Sequence, residues 1–356
     1  MVAAGGDEGV AASLELIDAF SRGEEISPAL AVPAGSKLFR TVWDRQIAAA
    51  EEANDPGNFT AFIGYEWTSL INGNNMHRVV MYRDGGARAG RMDPYTTAPP
   101  VGSPDPRDLW RWMETYEKQT NGDVLAIAHN GNLANGIMFP EDAQWNGTAL
   151  DEAYVTARST WEPAYEATQI KGDGEAHPFL SPNDEFADYE TWDKGNLNLS
   201  EPKTNDMLKG EYAREALKTG LKLEQSLGTN PYKFGMIGST DSHTSLATAQ
   251  EDNFYGKHSG TEPNAERAEH VVGQFGDEVI LGWEQVASGL AAVWAADNTR
   301  DAIFDAIERK EIYATTGSRM GVRFFGGWEY TDAVSYTHLR AHETNESISY
   351  AVFCLK

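Results

Sequence analysis

The chain has one cysteine, Cys354, close to its C-terminal end. No disulfide framework and no thiolate metal site can therefore form within a single chain, and any metal must be held by histidine and carboxylate. Basic residues are scarce: 29 Lys and Arg stand against 54 Asp and Glu, a formal charge of −25 with histidine neutral. Nucleic acid and anionic membrane are polyanions that a protein meets with Lys and Arg, so neither is expected as a partner. Long apolar runs are also lacking. The longest, Val124 to Ala128 and Leu290 to Ala296, fall far short of the ~20 residues of a membrane span, so no segment is expected to cross a bilayer. The opening MVAAGGDEGV has no basic residue before Arg22 and carries Asp7 and Glu8, unlike a secretory signal. It gives no support for export, and the compartment stays open.

Hydrophobic residues make up 41% of the 356 and aromatics 11%, enough to bury a core, so the acidity does not imply disorder. The length suits one large domain or two ordinary ones. Ser36 precedes a stretch that puts Leu38, Val42, Trp43, Ile47 and Ala50 on one helical face. Asp105 and Pro106 open a second helix that closes near Asn121-Gly122. A third is expected from about Asp206 to Leu227, ended by Gly228, and a last from about Thr299 to Lys310. Between and around them lie β-rich runs at 59–67, 77–82, 123–129, 165–170, 233–239, 291–295, 312–317 and 322–328. Apolar strands alternating with helices predict a parallel α/β architecture, a barrel or barrel-like sheet. Residues 171–204 show little period and read as a long loop, the kind that serves as a lid or substrate wall.

In α/β barrels the chemistry gathers where strands end. Glu66 ends the first run, His129 the third, and Asp241 and His243 follow the fifth. His77 begins its run, but Asn72-Gly73-Asn74-Asn75 is hairpin chemistry, and an antiparallel return would bring His77 back beside Glu66. Five residues able to ligate zinc, iron or manganese would then share one rim. Each also has an ordinary explanation: a solvated strand-end carboxylate for Glu66, a backbone cap for His77, a satisfied turn for His129, and a helix N-cap with its neighbour for Asp241 and His243. Their conjunction is harder to dismiss. Lys171 and Arg78 could offer positive charge to a substrate anion, although such residues are more often solvated surface groups. His177 could reach the site as acid or ligand. Trp67, Trp161, Trp192 and Trp294 fit packing better than a substrate platform, and Gly238 to Thr240 form at most a weak anion cradle.

From about Ser335 the text changes character. SYTHLRAHETNESISYAVFCLK resembles translated sequencing-adapter read-through fused to an unrelated frame, so 335–356 is set aside as a non-native, disordered tail. Within it His338 and His342 stand four apart, yet Leu339 occupies the place where a zincin would need its glutamate.

The strings GYEW, NNMHRVVMY, LAIAHNG, YEATQIKGDGE, IGSTDSH and EIYATTGSRMGVRF resemble the DUF3604 family, which is similar to the polymerase and histidinol phosphatase (PHP) metal-dependent phosphoesterases. The resemblance covers residues 1–334. It implies a distorted (β/α)7 TIM-like barrel and a centre of two to three divalent transition metal ions (Zn, Mn or Fe). By position, Glu66 would bridge two metals, His77 and His129 would complete the second, Asp241 would bind the first and His243 a third. The superfamily's opening His-x-His strand and the Asp-His pair after it have no counterpart before Glu66. The barrel is therefore expected to be incomplete, the chain a fragment and the site partial. The implied activity is hydrolysis of a small phosphorylated substrate by a metal-activated water. Two alternatives stand beside it. One is an amidohydrolase-like C–N hydrolase, for which Lys171 is the one candidate bridging lysine. The other is a non-catalytic binding module or fragment.

Overall fold

The computed structural model describes residues 8, 11, 12, 15, 19, 32–98, 101–244, 257, 265, 266, 268, 269, 271–275, 278–285, 289–327 and 348–354. His338 and His342, and the tail up to residue 347, lie outside them.

All eight expected β-runs form strands. A mixed sheet is built from β1 (Ile63–Trp67), β4 (Arg78–Tyr82), β5 (Val124–His129), β6 (Ala164–Gln169), β7 (Gly172–Asp173) and β8 (Gly235–Gly238). β1 and β4 are antiparallel, as are β4 and β5, whereas β5, β6 and β8 run parallel and β7 turns back on β6. This corrects the expected barrel: among the described residues the sheet is open, and three of its five pairings are antiparallel. The physical reason is local. The connection from β1 to β4 is a hairpin, not a helical crossover, and a hairpin can only return its strand antiparallel.

Two short strands, β2 (Leu70–Ile71) and β3 (Asn74–Asn75), build that hairpin, pairing Leu70 with Asn75 and Ile71 with Asn74. Asn72 and Gly73 both hold positive φ, 54° and 81°, the primed turn that matches strand twist. A side chain at Gly73 would also strike Asn198, Ser200 and Asn196, with Asn198 Oδ1 only 2.2 Å from the added carbon. Gly73→Ala is therefore expected to lower stability by about 1–3 kcal/mol, measured as a fall in denaturation midpoint.

Helices α1 (Lys37–Ala53), α2 (Pro106–Thr120), α3 (Glu152–Trp161) and α4 (Ala213–Leu227) contribute to the main core on one side of the sheet. Their ends follow the sequence. Ser36 accepts the Phe39 amide and Asp105 that of Arg107, while Asn121 and Gly228 close helices in the left-handed conformation. The expected apolar face of α1 is only partly used: Trp43 and Ala50 are buried, but Leu38 and Val42 stand exposed. Against the other side, α5 (Arg300–Glu308) places Phe304 and Ile307 on Leu125, Ile127 and Ala164. Covered on both faces, β5 is buried at every position, which is why its run is almost wholly apolar.

The remaining pairs are β9 (Val271–Phe275) with β10 (Glu278–Leu281), β11 (Leu290–Val293) with β12 (Ile312–Thr315), and β13 (Gly321–Gly327) with β14 (Ile348–Cys354). The last pair is parallel and draws residues 348–354 into a strand. No helix among the described residues is long and apolar enough to cross a membrane.

Candidate metal centre

Strand register decides which side chains meet. Glu66 pairs with Val79, Val79 with Ile127, and His129 with Glu166. Side chains alternate along a strand, so Glu66, His77 (two before Val79), His129 (two after Ile127) and Glu166 project from one face at one end of the sheet. The hairpin return expected from Asn72-Gly73 is what puts His77 there.

Glu66 Oε1 lies 2.9 Å from His77 Nδ1 and 2.9 Å from His129 Nε2. The two rings meet edge to face at 5.5 Å. One ligand atom from each of Glu66, His77 and His129 lies within 4.8 Å of the others, and among the described residues this is the one group of three His, Cys, Asp or Glu so disposed. The donor set fits a borderline divalent cation such as Zn, Fe or Mn. Two buried polar atoms at the same place, His77 Nε2 and His129 Nδ1, have no hydrogen-bond partner. A protein seldom leaves buried imidazole nitrogens unsatisfied without a use for them.

The electrostatics are asymmetric. Burial would raise the Glu66 carboxyl, but hydrogen bonds from His129 and His77 outweigh it and hold the group well below its ordinary range. Burial dominates at His77 and pushes its imidazole down. His129 is equally buried, yet the Glu66 hydrogen bond and the charges of Glu166, Glu66 and Asp241 carry it above its ordinary value.

Asp241 and His243 do not join this group. Asp241 Oδ2 accepts from Gln169 Nε2 at 2.8 Å, from Lys257 Nζ at 2.5 Å and from Lys171 Nζ. His243 places Nδ1 3.0 Å from Lys257 Nζ and 2.9 Å from the Asp241 carbonyl. Burial acts against charge at both lysines. Asp241 nonetheless lifts Lys171 above its ordinary value, whereas repulsion from Lys171 adds to burial and leaves Lys257 pushed down to about 7. Lys171 thus reaches the site through Asp241.

Arg78 is placed elsewhere. Its neighbour His77 faces the centre, so alternation turns Arg78 to the helix-covered face, where it is fully buried and its Nε donates to Glu162 Oε1 at 3.0 Å. A guanidinium held in the core has no access to a substrate anion, so the role expected for it is corrected to a structural one. His177 is also engaged: the Phe179 amide donates to Nδ1, which leaves the proton on Nε2 to donate to Asp193 Oδ2 at 3.0 Å. In the 238–240 turn the Ser239 amide donates to Thr168 O, so it is not open to an anion. Trp67 and Trp161 are buried and Trp294 donates to Val322 O.

Three nearby residues escaped the sequence argument. Glu166 is buried, its carboxyl raised by that burial, with Oε2 accepting from Ser239 and Oε1 without a partner. Gln169 ties Asn130 to Asp241. Lys257 stands 16 positions beyond Asp241. A glutamate inside a β6 strand buried at all six positions was a signal available in YEATQ; nothing in the sequence around Lys257 marked it.

A mixed α/β protein with a glutamate and two histidines gathered at a sheet end is the class these features define. The family described as "Protein of unknown function (DUF3604)" has a model that matches residues 3–349, and the chain belongs to that family. The match extends beyond residue 334 into the tail. Neither the curated proteins nor the solved structures yield a match.

Proposed function

We propose that the protein is a metal-dependent hydrolase, and that its substrate is a small phosphoester. The observation that carries this reading is the convergence of Glu66, His77 and His129 to within 4.8 Å from three separate strand ends. A divalent ion bound there would make hydroxide available near neutral pH and polarise a phosphoryl oxygen. The protein's own part is to hold that site and to orient the substrate. Glu66, kept ionised by its two histidine partners, supplies the negative charge of the ligand set. Lys171 supplies a cation toward a substrate oxygen.

The test is elemental analysis of the purified protein alongside hydrolysis of p-nitrophenyl phosphate and its diester. His129→Ala is expected to cut bound transition metal about 10-fold or more, since even outer-shell changes cost that much. Glu114→Gln, on the exposed side of α2, is expected to leave metal unchanged. Equal loss from both, or background metal in the unmodified protein, would overturn the proposal.

A further inference from the structure

We infer that the centre holds one metal ion, and that the Lys171–Asp241–Lys257 cluster stands where a second cation would otherwise sit. The inference rests on the metal-dependent reading above, but it reassigns Asp241, from metal ligand to anchor of a lysine pair.

Asp241 is built for that task. Its backbone is held at φ 52°, a conformation a non-glycine residue adopts at a cost and one that clusters at functional sites. Oδ2 receives three donors: two ammoniums and the Gln169 amide. Gln169 is itself fixed, because its Oε1 accepts the Lys171 backbone amide at 2.7 Å and its Nε2 also donates to Asn130 Oδ1. Lys257 is almost completely buried and is held by Asp241 Oδ2, by the Asp241 carbonyl and at His243 Nδ1. Two buried lysines share this one carboxylate: Asp241 keeps Lys171 charged, while burial and Lys171 push Lys257 down to about 7. A dication placed on the same carboxylate would face both at short range in a poorly screened setting. Lys171 feels the Glu66 charge and lowers His77, and His129 feels Asp241, while the lysine hydrogen bonds go to Asp241 and His243, so the lysine pair flanks the triad without entering it.

The chemistry this predicts is a site with one metal pole and one ammonium pole. That pairing suits a tetrahedral oxyanion such as a phosphate monoester dianion, whose oxygens can be shared between metal and amine. Lys171 is the member that meets the anion. Lys257, engaged on Asp241 and His243, is a positioning residue that holds the Asp241 carboxylate against Lys171.

The experiment counts metal and measures inorganic phosphate binding calorimetrically on the same preparations. The unmodified chain is expected to hold one transition metal ion. Asp241→Asn is expected to keep it, where a ligand would lose it, and His129→Ala is expected to lose it. Lys171→Gln and Lys257→Gln are expected to keep the metal and weaken phosphate about tenfold or more, the scale of one charge-assisted hydrogen bond; Lys257→Arg should restore most of the affinity. Two or more ions per chain, metal loss in Asp241→Asn, or unchanged phosphate affinity in both glutamine variants would overturn the inference. Absence of metal from the unmodified chain would instead sink the hydrolase reading. In that case phosphate binding to the metal-free protein, lost in Lys171→Gln, would still support the anion site.

Discussion

Glu162→Gln is expected to destabilise the fold by about 3–5 kcal/mol, the cost of leaving a buried charge without its partner. Glu162 is shared by two guanidiniums: Arg78 Nε donates to Oε1 at 3.0 Å and Arg158 Nε lies 3.2 Å from Oε2, while the Trp110 indole donates to Oε1 at 3.1 Å. Burial alone would raise the carboxyl, but the charges of Arg78 and Arg158 hold it below its ordinary value. The surplus cation is eased by carbonyls and rings. Arg78 donates to Met76 O, Arg158 to Met138 O, and the Arg158 guanidinium lies 4.8 Å from the Tyr232 centroid and 5.2 Å from that of Phe139. Glutamine keeps the shape and removes the charge, so both arginines lose their counter-ion at once. Chemical denaturation measures the effect. A variant replacing all three ion partners by apolar residues of similar volume should recover much of the loss; if it is as unstable as Glu162→Gln, the cause is lost packing and not uncompensated charge.

That ion cluster also explains what the sequence could and could not disclose. Caps and periods are local, so Ser36, Asp105, Asn121 and Gly228 marked helix ends that the structure shows. The Asn72-Gly73 turn is local too, and from it follows the meeting of His77 with Glu66. Sheet closure is not local. It depends on which strand edges find partners, and the same apolar runs that suggest a parallel barrel serve equally well in an open mixed sheet buried on both faces. The face on which a residue points is legible only once register is known, which is why Arg78, adjacent to a ligand-type histidine, could be taken for a site residue when alternation sends it into the core. Lys257 and Asp241 meet at a separation of 16 positions, a contact with no periodic or compositional trace.

Metal affinity is expected to fall at least ~100-fold in Glu66→Gln, more than the upper range for outer-shell changes, because the substitution removes the one anionic donor of the triad. The pH dependence should change with it. A metal competes with protons for imidazole nitrogen. In the unmodified chain Glu66, Glu166 and Asp241 lift His129 above its ordinary value, so protons would compete with a bound ion at higher pH than they do for an ordinary imidazole. Burial holds His77 below its ordinary value, so its proton competes only in more acid solution. Affinity should therefore decline with falling pH by about one proton at first and by a second proton further down. Without Glu66, His129 loses its strongest raising partner, and the first decline should move to lower pH even though binding is weaker throughout. In the metal-free chain the sign for His129 is opposite: its raised value stabilises the fold below the unfolded pKa of about 6.5, and that contribution is lost as pH rises through the folded value. Competition with a chromophoric chelator between about pH 5.5 and 8, where histidine titrates, measures the first effect. Denaturation of the metal-free protein over the same range measures the second. Affinity that is flat with pH in the unmodified chain would show that neither imidazole gives up a proton to the ion.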